Sequence, residues 1–173
     1  MTRVGCWAHA RRGFDEAIKA AGKRSKAPQA AEGLKFCNDL FDIENALEDV
    51  DPKERYARRL LRSKPVLDAF LAWLEKTREE CVKQSHLGKA VEYCLNHWKE
   101  LNNFLLDGRL ELSNNRSERS IKPFVIGRKN FLFCITPRGA KASATTYSIV
   151  ESAKENGLKP FEYLTYLFTE LPN

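Results

Sequence analysis

No stretch of about 18 consecutive apolar residues occurs in the chain, so no segment is expected to cross a bilayer as a helix. The residues after Met1 lack the charged-then-apolar order of a secretion signal, and the expected location is cytoplasmic, with no membrane partner. There is no internal repeat or low-complexity tract, no Gly-rich phosphate loop and no Ser-His-Asp arrangement with motif support. Those absences set aside solenoids, nucleotide-loop enzymes and triad hydrolases. The five cysteines, Cys6, Cys37, Cys81, Cys94 and Cys134, are odd in number and scattered, which fits reduced thiols better than a disulfide framework. Cys6 with His9 and Cys94 with His97 form two C-x-x-H pairs. Four such ligands suit zinc, but the pairs are far apart and the second falls in a helical pattern, so buried thiols are the expectation.

What is present is a globular composition. Hydrophobic residues make up 43% and charged residues 30% of 173 positions, enough apolar surface for one domain or two small ones. The formal charge is +6, which permits a nucleic-acid partner without requiring one. The excess is local: between Gly108 and Lys141, eight cations face two acids, Glu111 and Glu118, which equals the excess of the whole chain.

Periodicity predicts helices along most of the length. A helix is expected from Arg11, with Phe14, Ala17, Ile18 and Ala21 on one face and a stop at Gly22; GKRSKAP at 22–28 reads as a loop. Pro28 opens the next helix, which runs to Val50, and Asp51-Pro52 opens a long one to about Cys81, where Pro65 predicts a kink or break. Its stripe is read as Tyr56, Leu60, Leu67, Leu71 and Leu74, and its charged face, including Arg55, Arg58, Arg59 and Arg62, as solvated helix surface or, less favoured, a DNA contact. Ser85 caps a helix expected to continue to Leu106, and Trp73 and Trp98 are read as core, not as base-stacking platforms. Two short strands are expected, RVGCWA at Arg3–Ala8 and NFLFCI at Asn130–Ile135. Two helices close the chain, one ending before Gly157 and one opening at Pro160.

The segment SNNRSERSIKPFVIGRKN, Ser113 to Asn130, concentrates the chemistry. Ser113, Asn114 and Asn115 are capping residues, which puts Glu118 in or near a first helical turn, with Ile121, Phe124 and Val125 as a core-facing stripe and Pro123 bending or ending the helix. Arg116, Arg119, Lys122, Arg128 and Lys129 surround that carboxylate. An ionised carboxylate in such a field can hold a divalent metal and the cations can hold phosphates; a solvated charged face fits the same spacing, and the residues leave both readings open.

The runs DGRLELSNNRSERSIKPFVIGRKNFLF and TPRGAKASATTYSIVESAKENGLKPFEYLTYLFTELP closely resemble the C-terminal part of transposases of the insertion sequence 66 family, a DDE group, and GCWAHARRGF at Gly5–Phe14 resembles another stretch of it. The intervening chain resembles the family's helical insertion. The resemblance implies that Glu118, the Glu of the NNxxER motif, is the last of three acidic metal ligands in metal-dependent DNA cleavage and strand transfer, normally with magnesium. It implies DNA as partner, with Arg109, Arg116, Arg119, Lys122, Arg128, Lys129 and Arg138 as phosphate contacts. The family's two catalytic Asp residues lie upstream of the GCWAHARR motif. The expectation is therefore a C-terminal portion, inactive alone, that works with an upstream transposase portion or other transposase subunits. Ser113 and Cys134 depart from residues common in the family, and neither change touches Glu118.

The expected fold is mainly α: a possible strand remnant of the catalytic core at 1–10, a helical bundle insertion at 11–106, and a C-terminal helical unit with a few short strands at 107–173, the last part of a ribonuclease-H-like core. A non-catalytic DNA-binding or assembly module, or a helical fragment without activity, are the competing readings.

Overall fold

The computed structural model describes residues 2–22, 27–131 and 134–171, with the backbone alone for 128–131. Helices are α1 (Trp7–Ala21), α2 (Pro28–Asn45), α3 (Pro52–Glu80), α4 (His86–Asn96) and α5 (Trp98–Asn102), a 3-10 turn (Asn103–Leu106), then α6 (Asn115–Phe131), α7 (Pro137–Glu155) and α8 (Pro160–Glu170). No strand occurs among the described residues. The chain forms two compact units, Met1–Asn114 and Asn115–Asn173.

Local sequence sets most of the helix ends. Asp51 Oδ1 accepts the Lys53 N–H at 2.9 Å, Ser85 Oγ accepts that of Gly88 at 3.0 Å, and Thr136 Oγ1 that of Gly139 at 3.1 Å, each satisfying a donor the first turn leaves open. Prolines open α2, α3, α7 and α8, where a missing N–H costs nothing. Gly22 (φ 76°) and Gly157 (φ 69°) leave their helices through the left-handed region that side chains avoid.

Several expectations give way. Arg3–Cys6 carry no regular structure and Ala8 lies inside α1, because Trp7 is drawn into the bundle core and starts the helix four residues early. Asn130 and Phe131 are helical, so the second expected strand does not form there; its next two residues lie outside the described set, as does the middle of the 22–28 loop. Pro65 and Pro123 interrupt neither α3 nor α6. Each proline deprives the carbonyl four residues earlier of its donor. Those carbonyls belong to Leu61 and Arg119, both exposed residues, where solvent can take the donor's place. The helix expected from Ser85 to Leu106 breaks at His97, whose φ and ψ of −108° and 16° are non-helical.

In the first unit the core centres on Phe70. Its ring lies 5.1–6.1 Å, centroid to centroid, from those of Trp7, Phe14, Phe36, Trp73 and Trp98. Trp73 and Trp98 are thus packing residues. Gly33 permits the closest approach of α2: a Cβ there would sit 2.5 Å from the Phe14 ring and 2.9 Å from that of Trp73. Burial holds the Cys37 thiol up at about 12 and pushes that of Cys94 well above its usual value, so neither is a thiolate at neutral pH.

Arg59 corrects the reading of α3. It is fully buried, on the stripe Arg59, Ser63, Leu67, Phe70, Leu74 and Thr77. Its five N–H donors meet five acceptors: Glu44 Oε1 and Oε2 at 2.8 and 2.6 Å, and the carbonyls of Phe104, Asp107 and Leu110 at 2.8, 3.0 and 2.8 Å. Arg55 adds bonds to the carbonyls of Leu47 (3.0 Å) and Gly108 (3.5 Å). Both arginines staple residues 104–110 to the bundle and neither is a free cation for DNA. Tyr56 and Leu60, expected in the core, are about 40% exposed at 41% and 42%.

In the second unit α6 meets α7 through an edge-to-face contact of Phe124 with Tyr147 at 5.3 Å. Gly127 makes room for it, since a Cβ there would lie 2.4 Å from the Tyr147 hydroxyl. Among the described residues of this unit Ala153 alone is buried. Ile121 and Val125, expected to face a core, are 58% and 51% exposed.

Candidate functional site

The helix that carries Glu118 begins at Asn115, within the expected capping run, and puts Glu118 in its first turn. A carboxylate there is favoured by the helix dipole, and Glu118 is exposed to solvent. It shares an open hollow of about 470 Å³ with Asn115, Arg119, Ile121, Lys122 and Val125. One carboxylate and two cations thus line one side of α6, edged by the two exposed aliphatic side chains.

Arg116 is turned to a different task. Its Nε donates to Glu155 Oε2 at 2.7 Å, and Ser120 Oγ donates to Glu155 Oε1 at 3.3 Å, tying the first turn of α6 to the end of α7. The Arg116 hydrogen bond, helped by Ser120 and the charge of Arg119, holds the Glu155 carboxyl below its usual value. Arg109 belongs to the first unit and grips Asp107 through Nη2–Oδ2 at 2.6 Å and Nε–Oδ1 at 3.0 Å. The hydrogen bonds from the Arg109 side chain and backbone lower the Asp107 carboxyl to about 2, and the same pair raises the guanidinium. Arg138 is exposed in the first turn of α7. Arg128 and Lys129 lie on the last turns of α6, with side chains outside the described set.

The expected residues therefore divide. Arg119 and Lys122 gather beside Glu118, whereas Arg116 and Arg109 already hold carboxylates. The sequence reading missed Glu155 and Asp107 as those partners. An Asp two residues before an Arg was a legible signal for the second; nothing local marks Glu155, 39 residues from Arg116.

Magnesium needs several hard oxygen ligands. Glu118 supplies one carboxylate, and no group of three or more His, Cys, Asp or Glu side chains converges among the described residues. Among the described residues, Glu118 therefore has no second and third such side chain gathered beside it.

The model of the Transposase IS66 family matches residues 1–142, and that of the IS66 C-terminal element matches residues 148–173. The chain belongs to the IS66 transposase family. It is 36% identical over 159 residues to the uncharacterized protein y4jD of Sinorhizobium fredii, and 34% identical over 172 residues to y4hP of the same organism. These alignments cover 92% and 95% of this chain and 30% and 31% of the relatives, so the chain spans about a third of their length. No solved structure matches the chain.

Proposed function

We propose that the chain acts as the C-terminal part of a DDE-type DNA transposase, in which Glu118 is one of the carboxylates that hold divalent metal for DNA cleavage and strand transfer. The observation that supports this most directly is the exposure of Glu118 on α6 beside Arg119 and Lys122. Because the other acidic ligands of such a site are not assembled from this chain, it is inactive alone. Its own residues orient the substrate: Arg119 and Lys122 hold phosphates on the Glu118 side of α6, and Arg128, Lys129 and Arg138 extend the contact. These contacts position DNA without reading its sequence. Residues 107–173 form the end of a ribonuclease-H-like core, residues 1–10 are a remnant of the same core, residues 11–106 are the family's helical insertion, and the protein works in the cytoplasm.

The test is complementation. The chain is mixed with an upstream family portion carrying the two Asp residues, and cleavage of an insertion-sequence end is followed with magnesium or manganese. Cleavage by the pair, its absence with either part alone, and its loss in Glu118→Gln are the expected results. A Glu118→Gln chain that complements as well as the wild type ends the metal-ligand assignment.

A further inference from the structure

The last helix has a wide apolar face, with Glu162, Thr165 and Thr169 together on the remaining side. Within its 11 residues, Pro160–Glu170, and the following Leu171, it carries Phe161, Tyr163, Leu164, Tyr166, Leu167, Phe168 and Leu171. An apolar face of that width is one a helix ordinarily packs against a neighbour. Here Phe161 is 83%, Phe168 75% and Leu171 75% exposed, while Leu164 between them is half-buried. Those four positions follow the spacing 3, 4, 3, which is that of the a and d positions of two heptads and makes a single straight seam along the helix.

We propose that this seam pairs with the same seam of a second copy of the chain, the two α8 helices running antiparallel about a two-fold axis. An isologous contact must be self-complementary, and antiparallel pairing brings each a position against a d position. Phe161 then lies over Leu171 of the second copy and Leu164 over Phe168 of the second copy. Each layer joins one aromatic ring to one leucine, and the axis repeats both layers. The flanking positions carry Thr165, Leu167 and Pro160 and no charge, so nothing along the seam repels its copy. With an aromatic side chain burying roughly 150–250 Å², the exposed parts of this seam amount to about 500 Å² per copy. Pairing would remove about 1,000 Å² in all, the lower bound for a specific interface.

Charge argues for that occupant over nucleic acid. The basic excess of the chain lies between Gly108 and Lys141, whereas α8 has no Lys or Arg and two acids, Glu162 and Glu170. The pairing does not rest on the DNA chemistry proposed above, and its test reads mass, not cleavage.

The experiment is sedimentation equilibrium of the full chain over a wide concentration range. The mass rises from 19.8 kDa toward twice that value as concentration increases. Phe168→Glu, on the seam, weakens association by at least about tenfold with unchanged helical circular dichroism, while Tyr166→Glu, on another side of α8, leaves it intact. Thr165 is exposed beside the seam and faces its own copy across the axis. Thr165→Lys alone and Thr165→Glu alone each weaken pairing, and mixing the two variants restores it. A single-chain mass at every concentration overturns the proposal. So does equal loss from Tyr166→Glu and Phe168→Glu, failure of the mixed Thr165 variants to recover, or association only with a longer family chain.

Discussion

Arg59 and Glu44 form a bidentate ion pair inside the bundle, at 2.8 and 2.6 Å, in which the guanidinium is fully buried and the carboxylate nearly so. The pair differs from a simple buried salt bridge. The three remaining donors of Arg59 go to carbonyls of the segment between Phe104 and Leu110, one of which, that of Asp107, also accepts the Leu110 N–H at 3.1 Å. Arg59→Ala strands a nearly buried carboxylate and takes a donor from three carbonyls at once, and is expected to cost about 3–5 kcal/mol. Arg59→Lys keeps the charge but loses the planar fork, and is expected to recover only a minor part of that loss. Urea unfolding followed by tryptophan fluorescence checks both, because Trp7, Trp73 and Trp98 all report on this unit.

Gly33→Ala improves helix propensity by about 1 kcal/mol in an isolated helix. In this chain the added methyl meets the rings of Phe14 and Trp73 at well under contact distance. The expected net result is destabilisation of about 1–3 kcal/mol by the same measurement. A neutral outcome would mean that α2 separates from α1 without cost.

Glu155 gives the second unit a pH dependence. Its carboxyl is held below the ordinary value of 4.5, so its contribution is fully present above that value and is lost as pH falls through the lowered one. Helicity of α6 and α7 is expected to hold to about pH 4.5 and to decline below it, and Glu155→Gln is expected to lack that component. Amide NMR resonances of Ser120 and Glu155 followed against pH are the check.

Glu118→Gln is expected to shift stability by no more than roughly 0.5 kcal/mol, since an exposed carboxylate contributes little to folding. Thermal unfolding of the variant beside the wild type measures this, and a large loss would show that Glu118 acts in packing instead.

DNA binding through α6 is expected to be electrostatic. Each phosphate contact contributes about −0.9 to the slope of log affinity against log salt on duplex DNA. Arg119→Ala with Lys122→Ala is expected to flatten that slope by roughly 2, and Arg109→Ala by less, because Asp107 already occupies that guanidinium. Fluorescence anisotropy over a salt series is the check, and an unchanged slope in the double variant moves the DNA surface elsewhere.

The sequence carried the helices well where side-chain chemistry is local. Ser85, Asp51 and Thr136 cap as their type dictates, and Gly157 ends α7. It misled where burial depends on partners far along the chain. Arg59 stands in register with Leu67, Phe70 and Leu74, and reading the stripe backward through Ser63 would have found it; charge argued against placing it inside. The two strand expectations came from β-branched and aromatic residues whose preference reflects packing on neighbours. In Trp7 the neighbours are helices, and the residue went with them. On α6, Glu118 was legible as an exposed first-turn carboxylate. The aliphatic side chains next to it were not legible as exposed, because amphipathic spacing says which residues seek cover and not whether this chain provides it.

The chain enters and leaves its first unit at one place. Gly5 N–H donates to Glu100 O at 2.7 Å, Trp7 N–H to Leu112 O at 3.1 Å, and Asn114 N–H to the Cys6 sulfur at 3.5 Å. More than a hundred residues, most of them helical, therefore begin and end within a few ångströms, and to any sequence on either side they amount to almost no displacement. Such a module can be circularly permuted, lengthened at its far loops or grafted between two adjacent positions of another protein without moving the join. Its size is free to vary; the pairing of Trp7 with Leu112 is what must stay.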